Sequence, residues 1–184
     1  MKGALIMERA SFQLDDVTNI LARTPKVLRQ MLEGLPDAWI HCNEGEGTWS
    51  PYEVLGHLIH GEKTDWIQRI QIIVGDGNEK TFVPFDRTAH LHVNRHKSLE
   101  TLLDEFEAVR NKNVRTLKTM VLTEHDLNRT GKHPELGVVT LRELLATWAV
   151  HDLSHVQQIV RVMAKHYHDE VGPWKAYLGI LQTK

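Results

Sequence analysis

Three features are scarce in this sequence, and each shortage excludes a class of protein. Cys42 is the only cysteine, which excludes an internal disulfide framework and is typical of a reducing compartment. Neither sign of charge dominates, because 24 acidic side chains are balanced by 22 basic ones, and no run of Lys and Arg could follow a phosphate backbone. We therefore expect no nucleic acid partner.

The N-terminal segment MKGALIMERASF lacks the third feature, a long apolar run. Its short apolar patch is followed by Glu8, and it has no small-residue cleavage site, so it does not resemble a signal peptide. The whole chain is 25% charged and 41% apolar, a composition that indicates neither a disordered nor a membrane protein. We expect a cytoplasmic protein with no membrane partner, folded as one domain over residues 1–184.

Histidine, by contrast, is abundant, and three of the twelve, His151, His155 and His166, lie in the stretch from Thr140 to Tyr167. Thr140 with Glu143 three residues later is a capping-box pattern, which predicts that a helix begins near Thr140. In this helix His151 and His155 are four residues apart, so their side chains project from one face, one above the other. Two imidazoles in this arrangement could bind one metal ion.

Two carboxylates fall on predicted apolar helix faces, where an unpaired charge would be costly. Asp152 lies in the middle of the apolar face of this last long helix, and Glu62 occupies the same kind of position in an earlier helix. Each of them therefore needs a polar partner. For Asp152 the candidates are a buried Arg or Lys, a backbone donor, or a histidine whose ring it orients at a metal site.

Apolar residues at helical spacing predict three further helices. The first covers Leu14 to Leu35, with a kink or a new start at Thr24, because Pro25 suits a first turn and lacks an amide hydrogen. The second begins at Ser50 and runs to about Val74, and the third begins at Ser98 and runs to about Val121.

The remaining segments are predicted to be loops. Residues 78–97 have no helical period, and their histidines, His90, His92 and His96, are expected to be solvated. Residues 131–139 are rich in turn residues, and residues 174–181 form a short terminal helix or a tail. We find no pattern of paired strands, so we expect an all-α four-helix bundle with a long loop between helices 2 and 3 and a short C-terminal helix.

A catalytic metal usually has three protein ligands, so a third ligand must come from another helix. The second helix contains His57 and His60, about 60° apart around the helix axis, and helix geometry alone does not choose between them. Gly56 and Gly61 would let a neighbouring group approach His57 closely, which favours His57 slightly.

The segments TWSPYEVLGHLIHGEKTDW (48–66) and LLATWAVHDLSHVQQIVRVMAKHY (144–167) resemble the DinB-like superfamily of four-helix-bundle metalloproteins, and the resemblance extends over nearly the whole chain. In that family a histidine of the second helix joins an H-x-x-x-H pair of the last long helix. Carried over to this sequence, the resemblance implies His57, His151 and His155 as metal ligands. It also implies one divalent ion, zinc or nickel with iron or manganese as alternatives, and a homodimer.

The resemblance further implies an activity on small molecules. Known members include S-transferases and an isomerase that use low-molecular-weight thiols such as bacillithiol or mycothiol, and others are suspected hydrolases. An ion held by three neutral imidazoles would activate a thiol or a water molecule as a nucleophile. Glu62, Asp65 and His133 are candidates for the base, and Asp152 for a base or for a residue that orients a ligand.

We therefore expect a metal-dependent enzyme, either a low-molecular-weight-thiol S-transferase or a hydrolase. The alternative is a non-catalytic metal-bound bundle that serves as a dimeric or small-ligand binding module. A structural metal is closed by four protein ligands, whereas a catalytic metal keeps an open position. A fourth ligand from His133 or from the loop that contains His90 would favour the alternative.

Overall fold

The computed structural model describes residues 11–182, so most of the N-terminal segment on which the expected location depends lies outside the described residues. In the part of the chain that is described, no helix has the length and apolar character needed to cross a membrane. The α-helices are α1 (Leu14–Leu32), α2 (Asp37–Ile40), α3 (Pro51–Thr64), α4 (Trp66–Val74), α5 (Ala89–Val93), α6 (Leu99–Thr119), α7 (Glu124–Leu127) and α8 (Leu141–His166). The strands are β1 (Thr130–His133) and β2 (Gly137–Thr140), and two 3₁₀ segments follow α8 at Gly172–Tyr177 and Gly179–Leu181.

Four helical units form a bundle. They are α1, the consecutive pair α3 and α4, α6, and α8. Both α1 and α3 pack against α6 and α8, and α4 packs against α8. The predicted all-α four-helix bundle is therefore confirmed, and its short C-terminal helix is present as the two 3₁₀ segments.

Local sequence signals set where three of the bundle helices begin. Ser50 and Glu53 form a capping box at the start of α3, in which each side chain accepts a hydrogen bond from the other residue's amide. Thr140 and Glu143 form the same arrangement at α8, and the hydroxyl of Ser98 caps α6. These starts were predicted correctly, because a cap depends only on residues within one helical turn.

The first bundle helix, α1, is continuous from Leu14 to Leu32, so the predicted new start at Thr24 is wrong, while the alternative of a kink stays a prediction. Pro25 lies inside the helix and has no amide hydrogen for the carbonyl of Leu21, four residues earlier. The guanidinium of Arg110 on α6 supplies the missing donor, because its Nη1 lies 2.9 Å from that carbonyl oxygen. A side chain from another helix thus satisfies the carbonyl group that proline leaves free.

The second predicted helix is divided into two. Asp65 separates α3 from α4 and has a non-helical backbone conformation, with φ −124° and ψ −70°. Beside this break the indole of Trp66 lies against Gly61, where an added Cβ would come within 3.3 Å of the indole Nε1. The glycine therefore allows Trp66 to pack closely against α3.

The segment between α7 and α8 is a β-hairpin, although no paired strands were predicted. Thr130 pairs with Thr140 and His133 with Gly137 in an antiparallel register. Gly137 has φ +77°, a conformation that favours glycine and allows the tight turn. Each strand has only four residues, which is too short for a recognisable alternation of apolar and polar positions.

The long loop between α4 and α6 is tied to the hairpin. The amide of Phe82 donates to the carbonyl of Lys132, and the amide of Lys132 donates to the carbonyl of Lys80. The Phe82 ring packs where Gly131 has no side chain, since a Cβ there would lie 2.5 Å from the ring. These contacts hold the loop beside the cavity described below, which Phe85 and Arg87 of this loop line.

The buried apolar residues form two clusters with a polar layer between them. On α6, Phe106 belongs to one cluster and Val114 to the other, and Arg110 lies between them in sequence and is fully buried. Asp152 occupies the corresponding place on α8, and Glu62 on α3. The bundle core is therefore crossed by a layer of buried charge.

Candidate metal centre

Three histidines from two helices converge at one point of the bundle. His57 lies on α3, and His151 and His155 lie one turn apart on α8. The Nε2 atom of His151 lies 3.3 Å from that of His57 and 3.1 Å from that of His155. The three ligand nitrogens all lie within 4.8 Å of one another, and no second group of this kind occurs among residues 11–182.

The separations between the nitrogens fit one shared metal ion. Two nitrogens bound tetrahedrally at about 2.0–2.1 Å from zinc lie roughly 3.3 Å apart. Hydrogen bonds between the imidazoles explain the arrangement less well, because Nε2 of His151 has either one proton or one lone pair and would have to share it between two neighbours. A shared ion engages all three lone pairs at once.

Burial keeps these imidazoles in the neutral form that binds metals. Burial, with the neighbouring histidines as a second cause, lowers the pKa of His57 to about 2 and that of His151 to about 3. Burial also lowers the pKa of His155. The Nδ1 of His155 lies 2.8 Å from Oε1 of Gln158, and assigning the proton to this Nδ1 leaves the Nε2 lone pair free for a metal. The donor set therefore fits a divalent ion.

The three histidines border a cavity of about 390 Å³. Aromatic rings form its apolar walls, with the Trp49 ring 4.9 Å from His57 and the Trp66 ring 5.1 Å from His151. A cavity of this size holds a small molecule. The polar side chains along the rest of its lining are Asp65, Arg69, Arg87, His133 and Thr147.

The two carboxylates proposed from the sequence for catalysis, Glu62 and Asp152, lie in the polar layer and not on the cavity wall. Both oxygens of Asp152 accept hydrogen bonds from Arg110, at 2.5 and 2.9 Å. Glu62 accepts from Arg110 and from Nε1 of Trp148 at 2.9 Å each, and from Nδ2 of Asn113 at 2.9 Å. The expectation that each buried carboxylate has a polar partner is confirmed. Both side chains are fully buried against Arg110, and their catalytic role stays a prediction.

The other sequence candidates separate into two groups. Asp65 and His133 line the cavity, so they can reach a molecule bound beside the histidines. Burial raises the pKa of Asp65 to about 6. His60 lies outside the three-histidine cluster, with its ring 4.9 Å from that of Phe85. Cys42 is half-buried, and its Sγ donates to a backbone carbonyl, while burial raises the pKa of its thiol.

Several residues beside the metal centre were missed from the sequence. His90 was expected to be solvated, but only 1% of it is exposed, and its ring packs 4.6 Å from Trp49 and 5.4 Å from His57. Arg69 is buried and lines the cavity. Gln158 could have been found, because it lies three residues after His155 on the same helix face. The expected solvation of His92 and His96 is confirmed, since both are exposed.

Comparison with known proteins identifies a family and a shared fold. A family model described as the DinB superfamily matches residues 20–159. The chain is 23% identical over 158 residues to a candidate metal-dependent hydrolase of Oceanobacillus iheyensis, and the match covers 80% of this chain and 90% of that protein. It also superposes on YfiT from Bacillus subtilis, described as a candidate metal-dependent hydrolase with an unusual four-helix bundle topology. That match has a TM-score of 0.70 and 21% identity, and it covers 86% of this chain and 91% of the other.

Proposed function

The chain belongs to the DinB superfamily, and on this basis we propose that it is a metal-dependent enzyme acting on a small molecule, with His57, His151 and His155 as the ligands of one divalent ion. The observation that carries the proposal is the convergence of three neutral imidazole nitrogens beside a cavity. Imidazole suits zinc and nickel, and also iron, whereas manganese is more often bound by oxygen ligands.

Three histidine ligands would leave at least one coordination position of the ion open. A catalytic metal keeps a position for water or substrate, and three protein ligands are consistent with this arrangement. When bound, a divalent ion would lower the pKa of a water molecule or a thiol in the open position and so supply a nucleophile at neutral pH. The residues of the chain hold the ion, exclude bulk water with aromatic walls, and move the proton.

We place the proton acceptor at Asp65. Its carboxyl group lines the cavity, and its pKa of about 6 lies near neutral pH, where a general base works best. Glu62 and Asp152 have an indirect role in this proposal, since both bind Arg110 and neither borders the cavity. His133 also lines the cavity and is the second candidate for proton transfer.

The attacking group is water in a hydrolase, which is the activity that the names of both relatives carry. It is a low-molecular-weight thiol in an S-transferase, the activity implied by the family resemblance. Cys42 is a poor source of that thiol, because it does not line the cavity and burial raises its pKa. A thiol would therefore come from a cosubstrate. The homodimer, the cytoplasmic location and the single domain over residues 1–184 stay predictions.

The proposed activity is tested by metal-dependent turnover. We expect purified protein loaded with zinc or nickel to hydrolyse p-nitrophenyl acetate, or to couple cysteine to 1-chloro-2,4-dinitrobenzene, at a rate that a chelator abolishes. The matched control is His60→Ala, which keeps the three-histidine cluster and should keep the rate. Stoichiometric metal without metal-dependent turnover of either kind would favour the non-catalytic binding module.

A second prediction separates an open site from a closed one. His90→Leu is expected to retain about one metal ion per chain, because His90 is not one of the three converging ligands and packs against Trp49. Leucine has a similar volume, suits the buried position and has no metal-binding atom. Metal content is measured by mass spectrometry after purification without a chelator. Loss of the metal in this variant would make His90 a fourth ligand and the ion structural.

A further inference from the structure

The cavity wall formed by α4 and the β-hairpin carries hydrogen-bond donors with no partner in the protein. Arg69 and Trp66 come from α4, and His133 comes from β1. Within residues 11–182, neither Nη atom of Arg69 nor Nε1 of Trp66 donates a hydrogen bond to another protein group, although both residues border the cavity. Donors in this position are available to water or to an acceptor on a ligand.

Arg69 is the most strongly positioned of these donors. Its Nε lies 2.7 Å from Oδ1 of Asp65, one turn earlier, and its guanidinium lies over the Phe82 ring with 5.1 Å to the centroid. Only 9% of the residue is exposed. The ion pair with Asp65 and the Phe82 ring position the planar group, whose buried Nε has no hydrogen-bond partner and whose two Nη atoms remain for a ligand.

His133 adds a second donor, and the hydrogen bonds of its own ring determine which nitrogen donates. Its Nδ1 accepts hydrogen bonds from the amides of Glu135 and Leu136, at 3.1 and 3.2 Å. Because an accepting Nδ1 carries no proton, these two bonds assign the proton of the neutral ring to Nε2. Arg69 lies near enough for its charge to lower the pKa of His133, after burial as the larger cause. The hairpin turn thus presents an N–H group beside Arg69.

The charges around the cavity favour an anion. Two arginines, Arg69 and Arg87, line it, and among the described residues Asp65 is the one acidic side chain on its wall. Arg69 is held rigidly, whereas Arg87 is exposed and pairs loosely with Glu135 at 3.6 Å. The side chains therefore leave the cavity positive, and a divalent ion at the histidines would make it more positive.

We propose that Arg69 and His133 bind the carboxylate of the substrate, so that the substrates of this enzyme are small carboxylic acids whose reacting atom faces the three histidines. The position of the reacting atom rests on the proposed function. The position of the carboxylate rests on Arg69 and His133 alone. A guanidinium presents two parallel N–H groups that match the two oxygens of a carboxylate. The aromatic walls Trp49 and Phe85 would contact the carbon skeleton.

The experiment measures the binding of succinate to the metal-loaded protein by calorimetry, with succinamide as the uncharged analogue of the same shape. We expect succinate to bind and succinamide to bind at least about tenfold more weakly, since a charge-assisted pair is about twice as strong as a neutral one. Arg69→Gln should weaken succinate binding by about tenfold or more. Arg23→Gln, which changes an exposed arginine on α1, should leave it unchanged.

A second variant covers the case in which Arg69→Gln does not fold. Asp65→Asn removes the carboxylate that competes for Arg69, so it should tighten succinate binding. Equal binding of succinate and succinamide would overturn the carboxylate site, and so would an unchanged affinity for succinate in both variants.

Repeating the titration on metal-free protein distinguishes the two proposals. If the metal centre is wrong, the protein binds no metal, but Arg69→Gln still weakens succinate binding. If the carboxylate site is wrong, the protein binds the metal, and Arg69→Gln leaves the affinity for succinate unchanged. Succinate binding that appears only with metal and is unaffected by Arg69→Gln would place the carboxylate on the ion, which also overturns the inference.

Discussion

Replacing His57 by alanine is expected to lower the affinity for zinc or nickel by more than about 100-fold. The loss of an outer residue that supports a metal ligand already costs 10- to 100-fold, and a ligand contributes more. His57 supplies the one nitrogen that joins α3 to the pair on α8, so its loss leaves two ligands on a single helix. Affinity is measured by competition with a chromogenic chelator, and the double variant His151→Ala with His155→Ala should bind no metal.

His60→Ala is the matched control for His57→Ala. His60 lies three residues along the same helix, and its ring contacts Phe85 outside the cluster. We expect this variant to bind metal as the unmodified protein does. The opposite pattern, with metal lost in His60→Ala and kept in His57→Ala, would show that the wrong histidine of the second helix has been assigned.

Truncating Arg110 to alanine is expected to lower the free energy of unfolding by about 3–5 kcal/mol, the usual cost of removing one partner from a buried ion pair. Glu62 and Asp152 would then be left as two buried carboxylates without their cation. The carbonyl of Leu21, which Pro25 cannot engage, would lose its donor as well. The measurement is urea unfolding of the metal-free protein. The change in the unfolding free energy is taken from the shift in the urea midpoint, with the m-value unchanged.

Two control variants identify the cause of the Arg110 effect. Arg115→Ala changes an exposed arginine on the same helix and should alter the stability by less than about 0.5 kcal/mol. The triple variant Arg110→Met, Glu62→Gln and Asp152→Asn removes all three charges together and should be more stable than Arg110→Ala, because no buried carboxylate remains unpaired. A loss below about 1 kcal/mol for Arg110→Ala would contradict the role given to this layer.

The polar layer also connects with the metal centre through two tryptophans. Trp148 donates to Glu62 and stacks on Trp66, with 5.5 Å between ring centroids and an angle of 8°. The ring centroid of Trp66 lies 5.1 Å from that of His151. A chain of contacts therefore runs from Arg110 through Glu62 and these two rings to His151.

The sequence alone determined the four bundle helices, where three of them begin, and which face of α8 is buried. Capping boxes such as Ser50 with Glu53 act within one turn, and the helical period relates neighbours on one face, so these features can be read from adjacent residues. For the same reason, the pairing of His151 with His155 and the need of Asp152 for a partner were visible before the structure. The family resemblance added His57 to this pair.

Only the tertiary structure decided which distant residues meet. Arg110 lies 42 residues from Asp152 and 48 from Glu62 in the sequence, and no local pattern identifies it as their partner or as the donor to the Leu21 carbonyl that Pro25 leaves free. His90 became buried and His133 reached the cavity because a loop and an unpredicted hairpin are tied together by backbone hydrogen bonds near Lys132. Such contacts depend on how whole helices pack, which short-range propensities do not encode, and they brought the donors and the three histidines to one cavity.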